Sequence, residues 1–240
     1  MSSLKKSAFA ILASFFMFTF CDDGGVNENP NAGGDCTSGV DCPDNGNNVN
    51  PNVNYGNLTD SRNGKTYRTI EVGTQTWMSE NLNYDVPDNT RDDVCYENSA
   101  DSCEKYGRLY SGLTARSVCP AGWHLPTDNE WTLLVSYAGD APTAGKKLKS
   151  ASGWYNFDGV PDGAGTDDYG FSALPGGMGS YSYLDLYFSA AGTFGHWWSA
   201  TGVQPGTVWS RSMYYAVDAV SRTSYEASTT LHSVRCVKDK

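Results

Sequence analysis

The sequence predicts an α+β domain made of short strands, two short helices and a long irregular loop region, held by disulfides. Three observations carry that expectation. Residues 65–78 read as a β-hairpin, residues 127–139 contain both ends of an amphipathic helix, and the cysteines beyond position 21 form an even set. About 180 residues follow position 58, enough for one domain with its own core.

Taken in order, residues 1–21 read as a signal peptide. Lys5 and Lys6 precede an apolar run over residues 8–20, too short to span a bilayer but the length of a signal core. Cys21 stands where a bacterial lipoprotein carries its acylated cysteine, although the Phe18-Thr19-Phe20 before it departs from the small residues usual there. Residues 22–58, rich in Asn, Gly, Asp and Pro, hold too few apolar side chains to offset chain entropy and read as a tether. The domain is expected over residues 59–240. Residues 65–72 alternate β-branched and aromatic side chains after Asn63-Gly64, a hairpin-turn dipeptide, and residues 75–78 supply the returning strand. Residues 111–118 read as a short helix stopped before Pro120. Thr127 with Glu130 makes a capping box, Trp131, Leu134, Val135 and Ala138 share one face, and Gly139 ends the helix. Residues 143–150 add a further turn of helix. Beyond Gly153, strands are expected near 171–173, 183–190, 195–199, 207–213 and 233–237.

A formal charge of -10 leaves no basic face to neutralise phosphates, which excludes a nucleic-acid partner and disfavours anionic polysaccharides. The 15 Tyr and 7 Trp serve as core in a loop-rich domain, with a subset available for stacking on sugar rings. The ligand-contact candidates are Phe194, Trp197, Trp198, Tyr181 and Tyr183. Tyr181 and Tyr183, two apart, would share a strand face. Trp197 and Trp198 would point to opposite faces, one into the core and the other into a groove or under the long loop. Trp77, Trp123, Trp131 and Trp154 read as core or loop pins. Asp158, Asp162, Asp167 and Asp168 on a Gly-rich stretch are the candidate metal ligands, for a structural calcium at most, and no other cofactor is expected. His124, His196 and His232 have no neighbour at metal-ligand spacing, and His124 reads as structural at the helix start. In an exported chain, Cys36, Cys42, Cys95, Cys103, Cys119 and Cys236 point to disulfides rather than metal, with fifteen pairings open.

Two stretches carry a resemblance. Ala115-x-x-x-Cys119 running through Gly122 and Leu125 into a second helix, with Ser233-Val-Arg-Cys236 at the end, resembles a C-type-lectin-like domain. Asp60 to Tyr84, Tyr106-Gly-Arg-Leu-Tyr110, Cys119-Pro-Ala-Gly-Trp-His-Leu-Pro-Thr127, Gly170-Phe-Ser-Ala-Leu-Pro-Gly-Gly177 and Trp197-Trp-Ser-Ala200 are similar to the Fibrobacter succinogenes major paralogous domain. The lectin-like resemblance implies paired N- and C-terminal strands and a Cys119–Cys236 staple, and with the spacing it favours Cys95–Cys103 and Cys36–Cys42. His124-Leu-Pro-Thr-x-x-Glu130-Trp131 and Arg235-Cys-Val-Lys-Asp239 also resemble formylglycine-generating enzymes. Their late reactive cysteine pair has no counterpart in residues 208–215, so their oxidase activity is not expected here. The Fibrobacter resemblance implies a secreted or envelope-attached bacterial protein. With the signal segment, tether, disulfide pattern and aromatic loop region, the expectation is a non-enzymatic envelope lipoprotein, exported and lipid-anchored in the outer membrane or at the cell surface, touching membrane only through its anchor. Its expected role is surface adhesion or recognition of a polysaccharide or envelope protein. The alternatives are an assembly protein that binds only envelope proteins and an altered formylglycine-generating-type enzyme.

Overall fold

The computed structural model describes residues 49–87, 92–156, 163–183 and 185–240. The expected signal segment, Cys21, the expected Cys36–Cys42 pair, Asp158 and Asp162 lie outside the described residues. The described chain begins with strands β1 (Gly56–Thr59), β2 (Thr66–Val72), β3 (Gln75–Met78) and β4 (Asp93–Val94). Helix α1 (Ala100–Tyr106), β5 (Leu109–Ser111), β6 (Trp123–His124), α2 (Asp128–Ala138) and α3 (Ala144–Leu148) follow. The rest is strand: β7 (Gly176–Ser182), β8 (Asp185–Ala191), β9 (Phe194–Gln204), β10 (Thr207–Tyr214), β11 (Val220–Glu226), β12 (Thr230–Ser233) and β13 (Val237–Lys238). The architecture is therefore mostly β with a few short helices.

Two sheets form among the described residues. The smaller runs β1-β2-β3-β13-β6, so the N-terminal hairpin pairs with the end of the chain, Trp77 opposite Val237. The larger runs β11-β10-β9-β7-β12-β5-β4, with β8 attached to β7. The stretch expected as one strand over residues 233–237 is split, because β12 belongs to the larger sheet and β13 to the smaller. Cys119–Cys236 ties β13's approach to the turn before β6, and Cys95–Cys103 ties α1 to the end of β4.

Helix α2 forms where its caps dictate. Thr127 Oγ1 accepts from the Glu130 amide and Glu130 Oε2 accepts from the Thr127 amide, which satisfies two otherwise orphaned donors. Gly139, at φ 118°, supplies the left-handed residue that ends the helix. Trp131, Leu134, Val135 and Ala138 are its buried face, packed with Trp77, Phe171 and Trp197 in one core cluster.

Several expectations fail for local reasons. Residues 111–118 are not an α-helix: Ser111 ends β5, opposite Leu231 of β12, and only a 3-10 turn over Thr114–Arg116 follows. Gly112 lies so close to Ala227 that a Cβ there would stand 2.9 Å from its Cα, an approach belonging to strand pairing rather than a helical turn. Residues 171–173 contribute a single bridge, Ala173 to Lys149. The tether does not run to residue 58. β1 pairs along β2, Val53 and Tyr55 pack on the core, and Asn50 donates to the Asp167 carbonyl at 2.8 Å.

β9 separates two cores. Trp197 joins the cluster under α2, whereas Trp198 joins Tyr67, Met78, Leu82, Tyr110 and Val234 on the opposite face. Both indoles are 0% exposed, so both faces of this strand are covered and neither ring lines a groove. Each donates from Nε1, Trp197 to Asn81 Oδ1 at 2.8 Å and Trp198 to the Tyr110 carbonyl at 2.7 Å.

Candidate functional site

A cleft of about 750 Å³ lies beside the N-terminal hairpin. One wall is residues 65–68 entering β2, the second is residues 79–83 leaving β3, and the third is α1. Ser152, Gly153, Ser172 and Leu174 complete the lining.

The walls are fixed by backbone-directed bonds. Gly107 caps α1 at φ 74°, and a Cβ there would stand 2.8 Å from both the Asn81 Cβ and the Leu82 carbonyl, so only glycine lets the helix end abut this segment. Asn81 Nδ2 donates to the Tyr106 carbonyl at 2.8 Å and Asn83 Nδ2 to the Cys103 carbonyl at 3.0 Å. Cys103 in turn is held by its bridge to Cys95. Behind the wall, Asn81 Oδ1 accepts from Trp197 Nε1 and, at 2.9 and 3.2 Å, from Arg235 Nη2 and Nε. Arg235 is fully buried. It donates also to the Phe171 and Ser172 carbonyls and lies over the Phe171 ring, and although burial pulls its pKa down to about 9, it remains charged at neutral pH.

Charged groups on the cleft are largely paired. Arg68 donates from Nε to Glu80 Oε1 at 2.9 Å and from its amide to Glu80 Oε2 at 2.5 Å. Arg68 Nη1 is shielded from solvent and has no hydrogen-bond partner. Lys65 meets Glu104 at 3.1 Å, and Lys105 Nζ lies 4.9 Å from the Tyr106 ring centroid. Asp101 stands one turn before Lys105 on α1. Such an array can accept and donate hydrogen bonds at fixed positions.

The ligand candidates read from the sequence do not form one platform. Trp197 and Trp198 are core. Phe194 is half-buried and stacks on Tyr214 of β10 at 4.3 Å. Tyr181 is half-buried near the end of β7, whereas Tyr183 sits in the following turn at φ 57°, fully exposed, so the expected two-residue alternation stops before it.

The described half of the candidate calcium loop does not fit calcium. Asp167 is buried and its carboxylate accepts from the Ser172 amide at 2.7 Å and the Ser172 hydroxyl at 2.6 Å. Burial pushes its pKa up to about 6 despite those bonds. Asp168 is exposed beside it, and no cluster of three or more metal-ligating side chains occurs among the described residues.

The histidines behave differently from expectation. His124 is a surface clasp rather than a packed side chain: Nε2 meets Glu130 at 3.0 Å and Nδ1 meets Asp239 at 2.6 Å. Partial burial opposes its charge, but the bonds to Asp239 and Glu130 prevail and hold its pKa above the ordinary value. His196 and His232 are brought together, stacked at 4.8 Å inside the larger sheet. Ser210 Oγ bonds His232 Nδ1 at 3.0 Å, while His232 Nε2 and His196 Nδ1 have no partner. Burial lowers the His196 pKa to about 4, and burial together with His196 lowers that of His232 well below its ordinary value.

Sequence reasoning missed the cleft, since its walls come from three separated segments. A signal was available in Arg68, a cation beside Tyr67 and two residues before Ile70 in β2.

Comparison with known proteins places one sequence profile on the chain, that of the Fibrobacter succinogenes major domain, over residues 70–238. No curated protein and no solved structure matches at a significant level.

Proposed function

We propose, for a chain that belongs to the Fibrobacter succinogenes major domain family, that the protein is an exported, non-enzymatic binding module. It carries a C-type-lectin-like domain, held to the envelope through Cys21, and works in adhesion or recognition of a polysaccharide or envelope protein. The terminal strand pairing and the Cys119–Cys236 staple support the lectin-like reading, and the disulfides support an address outside the cytoplasm.

The observation that carries the function is the cleft. Its walls are pinned to the core through Asn81, and Arg68 and Lys65 are committed to Glu80 and Glu104, an arrangement suited to holding a ligand rather than transforming it. The test is depletion of the purified protein from solution by cellulose, xylan and envelope fractions. Saturable depletion that is lost in a Tyr106→Ala variant of unchanged fold supports the reading; the absence of depletion by every fraction overturns it.

A second reading has its own observation. β8 pairs with β7 alone among the described residues, and the hairpin carries Tyr183 at 100% and Tyr187 at 55% exposure. A strand edge flanked by exposed tyrosines favours an envelope-protein partner. Co-purification that depends on Tyr183 and Tyr187 and not on Tyr106 would select it.

A further inference from the structure

We propose that the cleft selects an uncharged, polyhydroxylated ligand, a neutral oligosaccharide segment, and rejects anionic ones. This rests on the reading of the cleft as the binding site and adds the chemical class it takes.

The argument starts from charge. Lys65, Arg68 and Lys105 line the cleft together with Glu80, Glu104 and Asp101, so cations and carboxylates balance in number although the whole chain carries -10. They also balance in space, Arg68 against Glu80 at 2.9 Å and Lys65 against Glu104 at 3.1 Å. A phosphate, a uronate or an acidic peptide entering here would find Lys65 and Arg68 already held by carboxylates, with Lys105 set against the Tyr106 ring. It would face three carboxylates while losing its own hydration, and like charges brought together at an interface are costly. A cationic ligand meets the same difficulty from the lysines and the arginine.

A hydroxyl group meets no such conflict, because it donates and accepts at once. Carboxylate oxygens of Glu80 and Glu104 accept, the Lys65 ammonium and Arg68 guanidinium donate, and all stand at fixed separations on pinned walls. Neighbouring hydroxyls on a sugar ring present that alternation of donor and acceptor. Tyr106, half-buried on α1, adds a ring against which an apolar sugar face can rest.

The experiment titrates the full chain with three probes, a xylan or cellulose hexasaccharide, an oligogalacturonate and an acidic peptide, each at low and high salt. The expected result is binding of the neutral oligosaccharide with affinity unchanged within about twofold by salt, since its contacts need no net charge. The anionic probes should bind at least about tenfold more weakly. The Glu104→Gln variant changes a largely exposed side chain and leaves Lys65 uncompensated. It should gain salt-sensitive affinity for oligogalacturonate, while Tyr106→Ala should lose the neutral oligosaccharide and Tyr183→Ala should not. Preferential, salt-sensitive binding of an anionic probe that is lost in Tyr106→Ala would overturn the inference and leave the cleft as the binding site. Neutral binding unaffected by Tyr106→Ala, or no binding of any probe, would overturn both.

Discussion

The stacked His196–His232 pair predicts a specific loss of stability in mild acid. Both rings are buried inside the larger sheet, and among the described residues no carboxylate partners either. The folded state therefore holds them neutral, while in the unfolded chain each titrates near the ordinary 6.5. A base whose folded pKa lies below its unfolded value makes the unfolded state the better proton acceptor, so stability is intact above about pH 6.5 and falls as pH drops toward the folded value. For His196 the gap between 6.5 and about 4 corresponds to about 3 kcal/mol in full, of which about 2 kcal/mol is lost between pH 7 and pH 5. The assay is urea unfolding with disulfides intact, followed by tryptophan fluorescence at both pH values, on the wild type and on His196→Leu. Asp167 and His124 have folded pKa values raised above the ordinary ones, so their contributions have the opposite sign, growing as pH falls. Both groups are present in the two proteins and cancel in the difference. The wild type should lose about 2 kcal/mol more than the variant between pH 7 and pH 5. Parallel pH profiles for the two proteins would refute the buried neutral pair.

Three further outcomes are expected. Trp198→Ala should cost about 3–5 kcal/mol in urea unfolding, as for other large buried aromatics, because the indole is core rather than ligand surface. Replacing Cys119 and Cys236 with serine opens a loop of 117 residues and should cost about 5 kcal/mol on the chain-entropy account, against about 2.5 kcal/mol for the Cys95–Cys103 bridge across 8, so thermal unfolding should rank the two variants in that order. A fragment beginning at Thr59 loses most of β1 together with Val53 and Tyr55, and should melt lower than one beginning at Val49.

What the sequence made legible were the elements whose chemistry is local. Helix α2 was readable because Thr127, Glu130 and Gly139 carry its two ends within thirteen residues, and the hairpin of β2 and β3 because a rough alternation follows the Asn63-Gly64 turn dipeptide and returns across Gly73. β7 was not, since its Gly-Gly-Met-Gly-Ser-Tyr-Ser has little strand preference of its own and is a strand because β8 and β12 pair with it. α1 is only seven residues long, too short to stand without the disulfide and the Asn81 and Asn83 bonds that hold it. The tryptophan pair was misread through one assumption, that a strand in this domain has a single buried face. Once helix α2 covers one side of β9 and the Tyr110–Val234 cluster the other, adjacent tryptophans are both core, as in any sheet packed on two faces. The cleft was illegible for a different reason. Arg68, Glu80 and Glu104 meet only because β3 returns along β2 and Gly107 lets α1 close on Asn81, and no spacing along the chain encodes that.

Covering both faces of β9 also limits what the proposed contact surface can draw on. Five of the seven tryptophans are spent in the interior, and polar groups that serve a contact at the margin of the fold need to be held in place to bind without a large ordering cost. Asn81 connects the two requirements. Its oxygen receives the Trp197 indole and the Arg235 guanidinium from the core, while its nitrogen holds the end of α1 through the Tyr106 carbonyl. Arg235 comes from the segment between β12 and β13, so the crossing from the larger sheet to the smaller is registered at the same side chain that positions the cleft wall. The buried arginine, costly as a charge in the interior, is thereby coupled to the geometry of the candidate site as well as to the fold.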